Sequence, residues 1–329
     1  MTNNSENLLK LKNLRTIFRT SEDPVIAVND VSININKGEI VGIVGESGCG
    51  KSVTALSIMR LVPNPPGEIV SGEILLEGNN LLSVNESEME KIRGKEIGMI
   101  FQEPMTSLNP VLTIGKQITE ILELHQRVDP KEAIIEAVRL LTIVGLPDPE
   151  IRVNEYPHQL SGGQRQRVMI AIALSCNPKI LIADEPTTAL DVTIQAQILE
   201  LIKDLTTKMR TAVILITHNL GILARYADRI YVMYGGHVVE SGNIMDIYNN
   251  PKHPYTVGLL NSVPTLEVNS DVDLPTIPGE VHDLSSIKGC VYRARCAKPT
   301  NDCKEGKIEM ELIEIKPGHW VDQCCINCK

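Results

Sequence analysis

The sequence predicts an α/β protein with a parallel sheet, followed by a small cysteine-rich segment. Three observations lead to this prediction. An apolar run at residues 39–44 predicts a strand, which leads through a glycine-rich turn into a helix at 52–61. A second region, 179–217, has the order strand, helix, strand, and such a crossover joins parallel strands. Six of the eight cysteines lie between Cys290 and Cys328, where the periodicity has faded.

A helical insertion is predicted between these two α/β regions. A strand candidate at 97–101 ends shortly before Pro104, which marks a loop. From there to about Tyr156 the pattern is helical. Its clearest helix has Asp129 as N-cap and Pro130 as first residue. The apolar face predicted for this helix consists of Ile134, Ile135, Val138 and Leu141.

The second α/β region combines two buried strands, 179–183 and 212–217, with an amphipathic helix at about 193–208. The apolar positions of that helix are Ile194, Ile198, Leu201, Ile202 and Leu205. Beyond about residue 250 proline and polar residues become frequent, so we expect a domain boundary near 255–265. No internal repeat or low-complexity tract is present in the sequence.

Length and composition favour two domains of unequal size and count against nucleic-acid binding. A chain of 329 residues is long enough for one large domain and a smaller one. Aromatic residues make up only 3% of the chain, whereas base-stacking surfaces need aromatic side chains. The formal net charge is −9, and nucleic-acid-binding domains usually carry a basic patch. We therefore predict no nucleic-acid partner.

The sequence predicts neither secretion nor a membrane span. The first thirty residues are polar and mixed in charge, unlike a signal peptide, in which an apolar core follows a basic start. The longest apolar run, 168–174, has seven residues, whereas a spanning helix needs about 20. We expect membrane contact only through partner subunits.

A phosphate-binding loop is predicted at residues 45–52, between a strand and a helix, as the motif G-x-x-x-x-G-K-[S/T] requires. Its residues are Gly45, Glu46, Ser47, Gly48, Cys49, Gly50, Lys51 and Ser52. In such a loop backbone N–H groups hold phosphate oxygens, Lys51 neutralises the β- and γ-phosphates, and Ser52 ligates Mg²⁺. An ordinary glycine-rich turn is the alternative. We interpret Cys49 as a small loop residue rather than a redox centre.

Two carboxylates, Asp184 and Glu185, follow the buried strand at 179–183. Ligands of open α/β sheets collect at the carboxyl ends of the strands. Asp184 is therefore suited to the Mg²⁺ shell, and Glu185 to accepting a proton from the attacking water. A solvated loop start is the alternative for the pair taken alone.

A second glycine-rich element, Leu160 to Gln164, precedes this strand. Ser161, Gly162, Gly163 and Gln164 begin a helix, and a helix N-terminus offers free N–H groups and a positive dipole end to an anion. One chain would then carry two phosphate-facing surfaces. This arrangement suggests a nucleotide shared between two subunits.

In order and approximate spacing these motifs resemble those of ABC-type ATPase domains, over about residues 8–250. The elements that carry the resemblance are the phosphate loop, Gln102, the Leu160 to Gln164 segment, Asp184 with Glu185, Asp191 and His218. The resemblance implies the P-loop NTPase fold, with a RecA-like core, a β-subdomain and a helical subdomain. It also implies a head-to-tail pair of domains, with each ATP between one phosphate loop and the other subunit's signature segment.

The same resemblance implies roles for single residues. Gln102 would contact Mg²⁺ and the attacking water, and His218 the γ-phosphate. Asp191 would communicate across the dimer, and Phe18 is the candidate for stacking on adenine. Because no motif is degraded, we expect ATP hydrolysis rather than binding alone.

Further segments resemble the oligopeptide/dipeptide branch of bacterial ABC importers, specifically its D-type ATPase subunit. They are residues 101–110, 253–256, 277–280 and 289–290. This resemblance implies a second, F-type ATPase subunit, two transmembrane permease subunits and an extracytoplasmic peptide-binding protein. It places the chain peripherally at the cytoplasmic face of the cell membrane. Nickel importers share much of the pattern and are an alternative.

Two other classes of function are weighed against transport. A soluble ABC ATPase acting on DNA or ribosomes would carry a very long coiled coil or two ATPase domains in one chain, and this sequence has neither. A redox protein that uses the cysteine segment would leave the complete ATPase machinery unexplained.

The cysteine segment has the spacing Cys290-x5-Cys296-x6-Cys303-x20-Cys324-Cys325-x2-Cys328. In an intracellular protein such a cluster indicates metal binding rather than disulfides. The spacing lacks the paired C-x-x-C knuckles of zinc ribbons, and four thiolates fit a 4Fe-4S cluster. Zinc and no metal are the alternatives. A cluster would be structural or redox-sensing.

The branch resemblance implies a cysteine-rich C-terminal cluster domain, and it guides the choice of cluster ligands. Cys290, Cys296 and Cys303 match the branch pattern. For the fourth ligand we choose Cys324, with Cys325 next, because His319-Trp320-Val321 is followed one position late by cysteine. We therefore divide the chain into an ATPase domain at 1–258, with its helical subdomain at about 104–160, and a cysteine-rich domain at 259–329.

Overall fold

The computed structural model describes residues 7–21, 23–188, 190–263, 276–279 and 289–325. These residues divide into two compact units. The signature unit contains Asn36–Glu39 and Ser83–Ile216, and the phosphate-loop unit contains Asn7–Ile35, Ile40–Leu82 and the chain from Thr217 onward.

The strands of the described residues are, in chain order, β1 (Asn7–Phe18), β2 (Val25–Asn36), β3 (Ile40–Val44), β4 (Gly67–Leu76), β5 (Asn79–Asn80), β6 (Ile97–Ile100), β7 (Ile180–Asp184), β8 (Ala212–Thr217), β9 (Arg229–Tyr234), β10 (His237–Asn243), β11 (Leu312–Lys316) and β12 (His319–Asp322). The helices are α1 (Lys51–Ile58), α2 (Glu86–Ile92), α3 (Pro104–Ser107), α4 (Ile114–Gln126), α5 (Pro130–Ile143), α6 (Pro149–Arg152), α7 (Gly162–Leu174), α8 (Val192–Met209), α9 (Leu220–Tyr226), α10 (Ile244–Asn249), α11 (Pro254–Asn261) and α12 (Asn301–Glu305). None of the described helices combines the length and apolarity that a membrane span requires.

Two sets of paired strands build the phosphate-loop unit. One is a four-stranded sheet in the order β2-β1-β4-β5, with β1 antiparallel to β4. The other runs in the order β11-β12-β10-β9-β3, and in it β3 and β9 are parallel. Val41, Ile43 and Val44 of β3 are completely buried, as expected for a strand inside a parallel arrangement.

The predicted strand, helix, strand region of the signature unit is confirmed. Strands β6, β7 and β8 are parallel neighbours, with Ile180 opposite Ala212. Every residue of β7 and β8 is buried, which explains their continuous apolar sequence. Helix α8 joins the two strands and buries Ile198, Ile202 and Leu205 of its predicted apolar face.

Helix α5 of the helical insertion begins at the predicted residue, but it buries a different face from the predicted one. Asp129 caps the helix by accepting from the backbone N–H groups of Lys131 and Glu132. The predicted face was wrong in part, because Ile135 is 69% exposed and Ile134 is 38% exposed. The buried residues of α5 are Ala133, Ala137, Leu140 and Leu141. Helix α5 packs on α4, α6 and α7, and this packing decides which face is buried.

The described part of the cysteine segment belongs to the phosphate-loop unit. Strand β12 pairs antiparallel with β10, so that Glu240 lies opposite Val321. The buried Glu240 carboxylate accepts hydrogen bonds from the backbone of Lys252 and His253 and from His319 Nε2, at 2.8–2.9 Å. One charged residue therefore joins β10, β12 and the start of α11.

Candidate functional site

The phosphate loop is formed by the turn between β3 and α1, and its glycines are required by its backbone. Gly48 and Gly50 have φ angles of 79° and 100°, in the left-handed region that favours glycine. A Cβ at Gly45 would lie 2.2 Å from the Met233 carbonyl oxygen, and one at Gly50 would lie 2.3 Å from that of Ala27. The loop is thus held against two neighbouring backbones.

The Lys51 side chain folds back onto the phosphate loop. Its side-chain Nζ donates to the carbonyl oxygens of Gly45 and Glu46 at 2.8 and 2.9 Å, and the residue is only 5% exposed. Cys49 is fully buried beside it, and burial raises the pKa of its thiol. The ammonium is therefore held within the loop, and Cys49 is neutral at physiological pH, as a small loop residue rather than a redox centre should be.

Two residues from the C-terminal part of the same unit, Tyr255 and Arg295, contact the start of the phosphate loop at Glu46. Glu46 donates its backbone N–H to the hydroxyl oxygen of Tyr255 at 2.8 Å. The Glu46 carboxylate accepts hydrogen bonds from both terminal nitrogens of Arg295, at 2.6 and 3.1 Å. The Arg295 side chain is 6% exposed and that of Glu46 is 29% exposed, so this is a largely buried ion pair.

The other predicted residues of the phosphate-loop unit lie at the ends of its elements. Ser52 is in the first turn of α1, as a Mg²⁺ ligand of the motif must be. His218 is exposed and follows β8 directly. Phe18 ends β1 and is half-buried, with its ring edge near Gly67.

The acidic pair lies in the signature unit. Asp184 ends β7 and is 4% exposed, whereas Glu185 is half-buried. Glu185 has a φ of 45°, a left-handed conformation that costs a non-glycine residue about 1–3 kcal/mol and is typical of functional sites. Its backbone N–H donates to the carbonyl oxygen of Ile216 at 3.0 Å, which fixes the turn.

The Glu185 carboxylate is aimed by two neighbours. Its Oε2 accepts from Gln102 Nε2 at 3.1 Å and from the Thr188 hydroxyl at 2.9 Å. Gln102 comes from the residues just after β6, so two neighbouring parallel strands deliver this pair. The structure thus brings Gln102 and Glu185, two of the residues predicted for the site, into contact, and adds Thr188, which was not predicted.

The signature segment begins α7 with a capping box. Ser161 Oγ accepts from the backbone N–H of Gln164 at 3.3 Å, and Gln164 Oε1 accepts from that of Ser161 at 2.9 Å. The first turn of α7 carries no acidic residue. The first turn of α7 itself therefore adds no negative charge to the positive end of the helix dipole, which suits an anion.

Asp191 is the N-cap of α8 and accepts from the backbone N–H of Ile194 at 3.0 Å. The same region packs on the signature glycines: a Cβ at Gly162 would lie 3.5 Å from Leu190, and one at Gly163 would lie 3.1 Å from Ile194. Within this unit the starts of α7 and α8 are therefore neighbours.

A buried group of possible metal ligands lies in the phosphate-loop unit. Its members are His253, Cys290, Asp322 and Cys324, and their ligand atoms all lie within 4.8 Å of one another. The Cys290 and Cys324 sulfurs are 3.4 Å apart, and Cys325 lies 3.4 Å from Cys324. Hydrogen bonding with Cys324, followed by burial, raises the pKa of Cys290.

Two atoms of this group are buried without a hydrogen-bond partner among the described residues, His253 Nε2 and Asp322 Oδ2. Burial lowers the pKa of His253 to about 3 and raises that of Asp322 to about 6. His253 Nδ1 accepts from the backbone N–H of Tyr255 at 3.1 Å, so the neutral ring carries its proton on Nε2. The soft thiols and the unpartnered Asp322 oxygen fit a bound metal group, whereas the protonated Nε2 of His253 offers it no lone pair.

The remaining predicted cluster ligands lie outside this four-residue group. Cys303 is buried, and its sulfur accepts from the Thr300 hydroxyl at 3.0 Å. Cys296 is half-buried, and its pKa is raised by burial first and then by the charges of Cys290 and Cys303. Cys328 lies outside the described residues. The structure thus brings Cys290 and Cys324 together more closely than the other two.

Comparison with known families matches two regions of the chain. Residues 28–188 match the family described as ABC transporter, and residues 239–303 match the family described as oligopeptide/dipeptide transporter, C-terminal region.

Curated relatives match nearly the whole chain. The oligopeptide transport ATP-binding protein OppD of Bacillus subtilis (strain 168) is 56% identical over 319 residues, covering 95% of this chain and 87% of the relative. AppD of the same strain, also an oligopeptide transport ATP-binding protein, is 55% identical over 95% of both chains. The dipeptide transport ATP-binding protein DppD of that strain is 52% identical over 98% of this chain and 94% of its own.

Solved structures match the larger part of the fold. The dimeric post-hydrolysis structure of the ATP-binding cassette MJ0796 bound to ADP and Pi has a TM-score of 0.65 and 32% identity, covering 72% of this chain and 98% of that one. The structure of cbiO1 from Clostridium perfringens, part of an ABC transporter complex, has a TM-score of 0.63 and 26% identity, covering 74% and 92%.

Proposed function

This chain belongs to the ATP-binding subunits of oligopeptide and dipeptide ABC transporters, and we propose that it hydrolyses ATP to power peptide import. The observation that carries hydrolysis is the Glu185 carboxylate, which Gln102 and Thr188 hold at the end of a buried strand. A carboxylate fixed there can accept a proton from the attacking water. Positioned general-base catalysis of this kind typically contributes about 10²–10⁴-fold to the rate.

The phosphate groups of ATP are held by the phosphate loop of the chain. Lys51 exchanges its two loop carbonyls for phosphate oxygens, because a charge-assisted bond to phosphate is stronger than one to a neutral carbonyl. His218 contacts the γ-phosphate, and Phe18 stacks on adenine. These two roles rest on the family resemblance.

Ser52 and Asp184 would ligate Mg²⁺, with Gln102 as a further contact, as the family resemblance implies. A hydroxyl and a carboxylate are the hard oxygen donors that Mg²⁺ prefers, and the strand end carries the carboxylate of the buried Asp184. When bound, the ion neutralises charge that develops on the phosphoryl oxygens.

The signature segment of this chain serves ATP bound by a second ATPase subunit. The first turn of α7 carries no acidic residue, and Leu190 and Ile194 on either side of Asp191 lie next to its glycines. The related cassette MJ0796 is dimeric with ADP and Pi bound, which supports a site made by two subunits. Asp191 then communicates between the paired sites.

Glu185→Gln tests the catalytic assignment, because the amide keeps the side chain's shape and loses its basicity. We expect ATP binding to persist and turnover in the assembled transporter to fall about 10²–10⁴-fold. The closed, ATP-bound pair should accumulate and be visible by size-exclusion chromatography. Glu120→Gln, on an exposed face of α4, is the matched control and should leave turnover unchanged. Retained turnover in Glu185→Gln would remove Glu185 from the base role.

The transported substrate is a peptide rather than nickel, because the relatives OppD, AppD and DppD are named for oligopeptide and dipeptide transport. The partners are an F-type ATPase subunit, two permease subunits and an extracytoplasmic peptide-binding protein. The chain then lies at the cytoplasmic face of the membrane and touches it only through the permeases. Co-purification with permease subunits tests this assembly.

The cysteine segment holds a 4Fe-4S cluster with a structural role, through Cys290, Cys296, Cys303 and Cys324. Thiol donors and the buried, unpartnered Asp322 oxygen beside Cys290 and Cys324 support this assignment. Cys324 is preferred to Cys325 because it is buried and adjoins Cys290. Anaerobically purified protein should contain iron and show a broad visible absorption band, and the Cys324→Ser variant should lose both. Protein without iron and without the band would exclude the cluster, and zinc in its place would identify the alternative.

We assign residues 1–258 to the ATPase domain, with the helical subdomain at about 104–160, and residues 259–329 to the cysteine-rich region. Separate family matches at 28–188 and 239–303 support two functional regions.

A further inference from the structure

The phosphate loop contains one acidic residue, Glu46, next to the place where it must hold a polyanion. Its carboxylate is paired with Arg295 from the cysteine segment, 249 positions further along the chain. Both terminal nitrogens of the guanidinium contact the carboxylate, one oxygen each, at 2.6 and 3.1 Å. This is the bidentate geometry that makes arginine pairs strong and specific.

The guanidinium is held in place independently of Glu46. Arg295 Nε donates to the Pro278 carbonyl oxygen at 2.9 Å, and Nη2 donates to that of Ile277 at 3.3 Å. The guanidinium carbon lies 5.7 Å from the centre of the Tyr234 ring. Because these contacts already hold the Arg295 guanidinium, the ion pair with Glu46 costs little further side-chain entropy.

From this geometry, and resting on the proposed ATP site, we propose that Arg295 is a positioning residue of the phosphate loop. It neutralises Glu46, the acidic residue of the loop itself, and so removes a negative charge that would oppose ATP. The cysteine segment thereby supplies a component of the nucleotide site in the same chain. Tyr255, which accepts the Glu46 backbone N–H at 2.8 Å, fixes the same residue from a second side.

Arg295→Ala in the full-length chain tests the proposal through equilibrium binding of ATP with Mg²⁺. We expect roughly tenfold weaker binding, since an unpaired carboxylate then acts on phosphate charge at a protein surface with an effective dielectric constant of about 20. The loss should be smaller for ADP and absent for adenosine, because the repulsion scales with ligand charge. Lys304→Ala, an exposed cation of the same segment, is the control and should bind ATP as the wild type does.

Glu46→Gln distinguishes neutralisation from simple loss of packing. If Arg295 acts by neutralising Glu46, the double variant Arg295→Ala with Glu46→Gln regains ATP affinity to within about threefold of the wild type. Arg295→Lys should fall between wild type and Arg295→Ala, since lysine keeps the charge but not the bidentate contact. Glu46→Gln leaves the cysteine segment unchanged, so its rescue cannot come from restored metal binding.

Three results would overturn the proposal. They are an ATP affinity unchanged in Arg295→Ala, a double variant as weak as Arg295→Ala alone, and an equal loss of affinity for ATP, ADP and adenosine, which would show a purely structural role. A wild-type chain that binds no ATP would instead refute the proposed ATP site, and Lys51→Ala checks this separately by abolishing binding at the loop.

Discussion

Glu240→Gln is expected to destabilise the phosphate-loop unit more than any single surface change. The Glu240 and His319 side chains are both completely buried. Glu240 Oε1 accepts from the Lys252 backbone at 2.8 Å and from His319 Nε2 at 2.8 Å, and Oε2 accepts from the His253 backbone at 2.9 Å. Three donors from two other elements therefore depend on one carboxylate.

The expected loss of stability in Glu240→Gln depends on which of the carboxylate's hydrogen bonds an amide can still accept. Its single oxygen can keep the bonds from Lys252 and His319, but its NH₂ group then faces the N–H of His253. Hydrogen bonds to charged groups contribute about 1.5–3 kcal/mol each, and neutral ones about 0.5–1.5 kcal/mol. One lost and two weakened bonds, partly offset by the easier burial of a neutral group, lower the free energy of unfolding by about 2–4 kcal/mol.

Urea unfolding of the full-length chain, followed by circular dichroism, measures this change. Glu309→Gln alters an exposed carboxylate of the same segment and should stay within about 0.5 kcal/mol of wild type. A double-mutant cycle with His319→Phe should show coupling, since the two side chains share a buried contact. A Glu240→Gln variant as stable as Glu309→Gln would refute the reasoning that this carboxylate joins the three elements.

Three further outcomes are expected. Burial lowers the pKa of His237 to about 4, so its contribution to stability is complete above about pH 6.5 and is lost as pH falls toward 4. Wild type should lose about 3 kcal/mol more than His237→Gln over that window in urea titrations, and parallel pH profiles would contradict this. Ser161→Ala and Asp129→Ala each remove an N-cap and should cost about 1 kcal/mol, but only Ser161→Ala should lower ATPase activity of the assembled transporter. Thr188→Val removes one hydrogen bond to Glu185 and should lower turnover at unchanged ATP affinity, by less than Glu185→Gln does; equal affinity and equal turnover would show that Thr188 does not orient the base.

Local chemistry made part of the site predictable from the sequence. Gly48 and Gly50 of the phosphate loop have positive φ angles, the conformation for which a glycine-rich turn selects. Asp129 and Pro130 begin α5 where a cap and a first-turn proline should. These features involve residues within a few positions of each other, so no knowledge of the tertiary fold is needed.

Features that depend on distant parts of the chain escaped prediction. The inward face of α5 is set by packing on its neighbouring helices, which buries Ala133 and Ala137 and leaves Ile135 exposed. Arg295 contacts the loop from 249 positions away. Its place before Cys296 belongs to no periodic or capping pattern from which the contact could be predicted. Thr188 follows Glu185 by three positions, and a hydroxyl at that spacing in a loop start is the pattern that could have identified it.

The cysteine segment and the phosphate loop are joined through a cluster of tyrosines. Tyr234 and Tyr292 meet edge to face with ring centres 5.1 Å apart, and Tyr234 and Tyr255 do so at 4.7 Å. Tyr292 follows Cys290 by two positions, and Tyr255 bonds the loop directly.

Because protein interiors are close-packed, we expect a change in the geometry around Cys290 to shift the neighbouring tyrosine rings. Arg295 lies between Tyr292 and Cys296 in sequence and contacts Glu46. A group bound by the cysteines would therefore be linked, through Tyr292, to Tyr255, which holds the start of the phosphate loop. Its structural role would then extend to nucleotide binding.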